Sequence, residues 1–149
     1  MSRDALLKGR FSLPGQIYHV TTCTRNRTAH FHDFTNARLV VAQMRLVHER
    51  GQVESLAWVV MPDHVHWLFQ LNGTQELSAL IKRFKAHTSQ ALAKRGHLRG
   101  GVWQKGFHDH ALRKEEDLRA VARYIVANPL RAGLVRRLGD YPHWDAKWL

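Results

Sequence analysis

Met61-Pro62-Asp63-His64-Val65-His66-Trp67-Leu68-Phe69-Gln70 is the stretch on which the fold turns. Successive side chains of a β-strand point to opposite faces, so His64 and His66 share one face with Leu68 and Gln70. Val65, Trp67, Phe69 and Leu71 share the other. The strand therefore predicts a sheet with one apolar side and one side that carries ligands. A spacing of about 6 to 7 Å along one face lets two imidazoles offer neutral ring nitrogens to a single divalent ion. A bare His-x-His is also compatible with half-buried structural histidines, so the pattern has to be weighed with the rest of the chain.

Working outward, residues 53–61 read as a central strand, with Leu56, Trp58 and Val60 opposed to Val53, Ala57 and Val59. Pro62-Asp63 is too short a connection for anything but an antiparallel neighbour. Upstream, Pro14-Gly15 closes off a basic arm with Arg3, Lys8 and Arg10. Residues 16–24 then alternate Tyr18, Val20 and Thr22 against Ile17, His19, Thr21 and Cys23, and end in the turn Arg25-Asn26-Arg27. Asp33 is the expected cap of a first helix with Phe34, Ala37, Val41, Met44 and Val47 at helical spacing and Gly51 as the stop.

Downstream, Thr74 is the expected cap of a second helix, whose stripe is Leu77, Leu80, Ile81, Phe84, Ala91 and Leu92. Its outer face is basic, with Lys82, Arg83, Lys85, Lys94 and Arg95. Residues 96–106 form a glycine-punctuated loop with His97, Arg99, Trp103 and Lys105. Residues 107–113 read as a short strand with a second His-x-His, His108-Asp109-His110, for which a structural or DNA-contacting role is favoured over a metal site. The acids at Glu115-Glu116-Asp117 open a third helix, which stops at Asn128-Pro129. Leu118, Val121, Ala122 and Ile125 form its buried stripe, with Tyr124 and Asn128 together on one margin. A tail with Trp144 and Trp148 needs cover.

The order β-α-β-β-α-β-α predicts an α+β fold of ferredoxin-like or RRM-like type, an antiparallel sheet covered by helices on one face. The third helix is then free to cross the other face and bring Tyr124 near the histidines. All 149 residues are expected to form one domain.

A net charge of +11, from 23 Lys and Arg against 12 Asp and Glu, calls for a polyanionic partner, and nucleic acid fits best. The candidate contacts are Arg25, Arg27, Lys82, Lys85, Arg99, Trp103, Lys105 and Arg131, with Trp103 offering a ring on which a base can stack. Cys23 is the only cysteine, which excludes a disulfide framework and a thiolate zinc site and suits a reducing, cytoplasmic setting. No run is long and apolar enough for a membrane span. The oligomeric state, monomer or homodimer, stays open.

The ordered set Tyr18-His19-Val20-Thr21, Arg25-Asn26-Arg27, Met61-Pro62-Asp63 before His64-Val65-His66, Trp103-Gln104, Tyr124-Ile125, Asn128-Pro129 and Ala132-Gly133-Leu134 resembles the REP-associated tyrosine transposases. These belong to the single-tyrosine HUH transposases, and the likeness runs from about residue 10 to about residue 145. It implies cleavage and rejoining of single-stranded DNA in repetitive palindromic hairpins. It also implies Tyr124 as nucleophile, and His64 and His66 with Asn128 as ligands of a divalent metal, Mg²⁺ or Mn²⁺. The rival expectations are a non-catalytic single-stranded nucleic-acid module on an RRM-like sheet, a metal-dependent phosphodiesterase that activates water, and a domesticated relative serving its host.

Overall fold

The computed structural model describes residues 15–96, 101–113 and 117–147. The basic arm with Arg3, Lys8 and Arg10, the loop residues His97 and Arg99, the acids Glu115 and Glu116, and Trp148 lie outside the described residues. Five strands, β1 (Ile17–Cys23), β2 (Val53–Met61), β3 (His64–Leu71), β4 (His108–Ala111) and β5 (Trp144–Ala146), form one antiparallel sheet in the order β4-β1-β3-β2-β5. The strand carrying the first His-x-His is the middle one. Met61 pairs directly with His64, so Pro62-Asp63 is the whole hairpin connection.

Two helices, α1 (Phe34–Glu49) and α2 (Leu77–Lys94), cover one face of the sheet. Val65, Trp67, Phe69 and Leu71 of β3 join Tyr18 and Val20 of β1 and the helix residues Val40, Met44, Leu80, Ile81 and Phe84 in one buried cluster. Trp67 is buried, and its indole N–H donates to Ser55 Oγ at 2.9 Å, which meets the polar end of a ring otherwise surrounded by hydrocarbon. Asp33 caps α1 by accepting from the Asn36 N–H at 3.0 Å.

The third helix, α3 (Leu118–Val126), lies on the opposite face, where Ala122, Ile125 and Val126 bury Leu56, Ala57, Val59, Met61 and Leu68. Asp117 caps it through bonds from the Arg119 and Ala120 N–H groups at 2.9 and 3.3 Å. The expected ferredoxin-like α+β architecture holds, with the second face half covered. Helix α3 packs mainly on β2 and β5, with Leu68, Leu112 and Ile17 extending its apolar cluster, and leaves the His64 and His66 end of β3 with its neighbours on β1 and β4 to polar residues.

Several local expectations are corrected. The helix expected to cap at Thr74 begins at Leu77, with Glu76 in the cap position and no side-chain cap bond. Phe34 is 60% exposed and rests against the His143 ring at a centroid distance of 5.1 Å, while Val40 takes the buried place in the α1 stripe. In β2 the register shifts between Ser55 and Ala57, so one extra residue inverts the alternation. Val53 thus joins Trp58 and Val60 under the helices, and Leu56 joins Ala57 and Val59 beneath α3. The chain breaks at Ala127 but turns again through α4 (Asn128–Arg131), where Pro129 sits in the first turn and loses no intrahelical bond. Among the described residues no helix is long and apolar enough to cross a membrane.

Strand β5 and the segment before it had no clear signature in the sequence. Val59 pairs with Trp144, the Val60 N–H donates to the His143 carbonyl at 2.9 Å, and the buried Tyr141 hydroxyl donates to the Val60 carbonyl at 2.5 Å. Burial pushes the Tyr141 phenol up to about 12 from its ordinary 10.0. Because the folded-state value is raised, the stability this group contributes is complete below pH 10.0 and is lost as pH rises through 12. Tyr141→Phe should cost about 1 to 3 kcal/mol through the Val60 carbonyl left without its donor. Thermal melts across alkaline pH check this: the variant should start lower and lose the steep alkaline decline. An identical decline in both proteins would reject this role for Tyr141.

Candidate active site

Strand register gathers the polar side chains on the part of the second face that α3 leaves open. Cys23 is opposite His64, Thr21 opposite His66, His110 opposite His19, and His108 opposite Thr21. Directly opposed residues share a face, so both His-x-His pairs look out on the same side. The pair on β4 is the exposed one, at the sheet edge. Among the described residues, no three His, Cys, Asp or Glu side chains gather closely enough to hold a metal ion by themselves. A metal here would therefore rest on the His64 and His66 pair with other donors.

That pair is already oriented. The His64 and His66 ring centroids are 5.0 Å apart and nearly perpendicular. Asp63 Oδ1 lies 2.7 Å from His64 Nδ1. A carboxylate only accepts, so this contact places the proton on Nδ1 and leaves the Nε2 lone pair free. Arg27 Nε donates to the other Asp63 oxygen at 3.0 Å. Burial works against the Asp63 charge, but the bonds from Arg27 and His64 outweigh it and hold the carboxyl below its usual range. The backbone is strained to make this possible: Asn26 and Arg27 are left-handed, at φ 57° and 54°, which turns the chain back toward β3.

His66 is held in the same way by different partners. Its Nδ1 lies 3.0 Å from both His19 Nε2 and Thr21 Oγ1. With the Nδ1 proton donated to either one, His66 Nε2 is the free nitrogen. Burial, reinforced by His64, His19, Arg131 and Arg27, pushes the His66 pKa down to about 3. The ring is thus a neutral imidazole, the form that can ligate a cation. Burial also lowers His19, with a contribution from His110. The pair fits a divalent ion in its chemistry, two imidazoles whose Nδ1 atoms are taken up by other partners so that the Nε2 atoms are left for a cation.

Of the three tyrosines in the chain, two are unavailable for chemistry. Tyr18 is 5% exposed in the core and Tyr141 is 9% exposed with its hydroxyl bonded, whereas Tyr124 on α3 is 58% exposed. Arg131 sits against this tyrosine and adds to the positive field at His66. Its guanidinium lies 4.0 Å from the Tyr124 ring centroid, its Nη2 donates to the Tyr124 carbonyl at 2.7 Å, and its charge contributes to lowering His66. Asn128 donates through Nδ2 to the Ile125 carbonyl at 2.7 Å, which fixes the amide and leaves Oδ1 as its available acceptor.

The expected DNA contacts fall into two groups. Arg25, Lys82, Lys105 and Arg131 are exposed. Trp103 is not a stacking platform, because it is 7% exposed, packs on Phe31 and Phe84, and donates from its indole N–H to Thr88 Oγ1 at 2.8 Å. Nor is Lys85 a free phosphate contact, since its half-buried ammonium donates to the Gln104 carbonyl at 2.9 Å and to the Gly106 carbonyl. Arg27 is committed to Asp63, and Arg99 lies outside the described residues. The partners of the two histidines, Asp63, His19 and Thr21, were not among the candidates. The alternation of residues 16–24 does place His19 and Thr21 on one face, but only the pairing register brings them to His66.

The family model described as "Transposase IS200 like" matches residues 12–128. The REP-associated tyrosine transposase of Escherichia coli strain K12 is 28% identical over 134 residues, covering 89% of this chain and 78% of the relative. A solved structure of a REP-associated tyrosine transposase bound to a REP hairpin superposes with a TM-score of 0.76 at 27% identity, covering 91% of this chain and 79% of that one. A crystal structure from Deinococcus radiodurans, 20% identical, has a TM-score of 0.57 with coverage of 78% and 92%, a likeness of fold alone.

The depressed His66 value gives a direct check. In an NMR titration the His66 ring resonances should stay flat from 6.5 downward to about pH 4. The sign for stability follows: an unfolded chain takes up this proton below 6.5 and the folded chain does not, so stability falls as pH drops from 6.5 toward 3. A His66 midpoint near 6.5 would contradict the packing described for this ring.

Proposed function

Because the chain belongs to the IS200-like transposase family, we propose that it cuts and rejoins single-stranded DNA beside a hairpin, with Tyr124 as the nucleophile. The observation that carries this reading is the exposure of Tyr124 alone among the three tyrosines, on a helix packed against the sheet face that carries His64 and His66, with Arg131 against its ring.

In the proposed reaction the Tyr124 oxygen attacks phosphorus, the bond from phosphorus to the 3′ oxygen breaks, and the phenol proton leaves as the 3′ oxygen becomes a hydroxyl. The product is a 5′-phosphotyrosine, and attack by another 3′-hydroxyl reverses the step to join strands. A phenol with an ordinary pKa near 10 is largely protonated at neutral pH, so attack needs charge stabilisation near the phosphate. Arg131, against the ring face, adds a permanent positive charge beside the phenol that would help to stabilise it. His64 and His66, with Asn128 Oδ1 as a third donor, would hold a divalent ion that neutralises charge on the phosphate oxygens. Imidazole ligation favours Mn²⁺, and availability favours Mg²⁺. Asp63, with Arg27 behind it, orients His64, while Thr21 and His19 orient His66.

Hairpin DNA is the proposed partner on two grounds, the +11 net charge and the likeness in fold to a protein that holds a REP hairpin. Affinity for single-stranded flanks should fall steeply with salt, each neutralised phosphate adding about 0.7 to the log-log slope. A flat response would reject a phosphate-dominated interface. Tyr124→Phe should bind the hairpin yet form no covalent adduct and cut no strand. Gel assays of adduct and cleavage check this, and cutting without an adduct would transfer the reaction to activated water. His64→Ala or His66→Ala should lower cleavage by more than about 100-fold, since losing merely an outer partner of a metal-bound histidine typically costs about 10- to 100-fold.

A further inference from the structure

Beside the two histidines the sheet opens into a cavity of about 210 Å³ lined by Thr21, Cys23, His108 and residues 104–107. Its origin is a mismatch in strand length. Thr24 bridges to Trp103 and Thr21 pairs with His108, so Thr22 and Cys23 face the four residues from Gln104 to Phe107. The surplus chain bows outward, with Gly106 at φ +80° making the bend.

The bow is fixed in place. Lys85 reaches from α2 to donate to the Gln104 and Gly106 carbonyls, and burial lowers its pKa. Holding a desolvated ammonium in this position has a cost that a two-residue turn would avoid. The opposite wall is Thr21, whose hydroxyl also touches His66 Nδ1. The cavity and the histidine pair therefore share a side chain.

We propose that this cavity is a nucleobase pocket that takes one unstacked base of the strand flanking the scissile phosphate. This rests on the reading of the chain as a single-stranded DNA transferase. The volume suits a single base, and the His108 ring and the Gln104 side-chain amide supply donors and acceptors for a base edge. Lys105 on the rim is exposed and positioned for the backbone of the entering nucleotide. A base seated against Thr21 bears on the residue that orients His66, so sequence is read at the point where the chemistry is set up.

Cys23 is the only cysteine, so its alkylation reports on this pocket alone. The probe is a synthetic oligonucleotide with one imperfect hairpin and single-stranded flanks, bound to the full chain and treated with N-ethylmaleimide under intact-mass detection. Saturating oligonucleotide should slow Cys23 modification by about tenfold or more, because little free protein remains. Removing the base at one flanking position should restore modification while fluorescence anisotropy still reports the complex. Lys85→Met, which frees the bow, should erase the affinity difference between the intact and that abasic oligonucleotide. Cys23 left unprotected in the complex, or an abasic scan with the same small loss at every position, overturns the pocket. These readouts need binding and not cutting: protection without adduct formation rejects the transferase reading alone, cutting with Cys23 unprotected rejects the pocket alone, and no binding at all rejects both.

Discussion

Strand β3 has to satisfy two environments at once, and its two-residue period is the constraint on which the rest of the structure depends. Val65, Trp67, Phe69 and Leu71 are buried beneath α1 and α2, so His64 and His66 are forced to the opposite side. A slip of one residue would bury both imidazoles and expose four large apolar side chains. Burial of one or more such side chains is worth about 1.5 to 3 kcal/mol each, so the register is strongly specified. The central position of β3 adds to this, because β1 and β2 pair with it on both sides. The position of the histidines is thus set by the hydrophobic core and needs no stabilisation from a ligand.

Placing a side chain does not settle which of its atoms is presented. That is done by neighbours which the core does not require: the Arg27–Asp63 pair behind His64, and His19 with Thr21 behind His66. The left-handed Asn26 and Arg27, and the half-buried Lys85, are local departures from low-energy structure that border the same open face. Stable folding alone gives no reason for either. Both are accounted for if the face must hold a fixed arrangement of ring nitrogens and a fixed concavity beside them.

Much of this was legible in the sequence because it depends on short-range periodicity. The two faces of β3, the antiparallel hairpin at Pro62-Asp63, the Asp33 cap and the placement of Tyr124 on a third helix over the second face follow from spacings of two and of 3.6 residues. What was not legible depends on pairing between distant segments. The β2 bulge has no local marker, since Leu56 is apolar in either register. Trp103 looks like a stacking residue until the Thr24 bridge folds it under α2. Lys85 reads as one more charge on a basic helix, and β5 is three residues long and gains its place by pairing with β2.

The central claim, a proposal, is that Tyr124, exposed on the helix that packs against the histidine-bearing face, takes the phosphate. The most direct measurement uses a hairpin oligonucleotide in which sulfur replaces the 3′ bridging oxygen at the cut site, so that the departing thiol reverses poorly and the adduct accumulates. Tryptic mapping by mass spectrometry should then find the nucleotide on the peptide spanning residues 124–131, with Tyr124 as the modified residue. Modification at Tyr18 or Tyr141, or strand cutting with no modified peptide, would contradict the account.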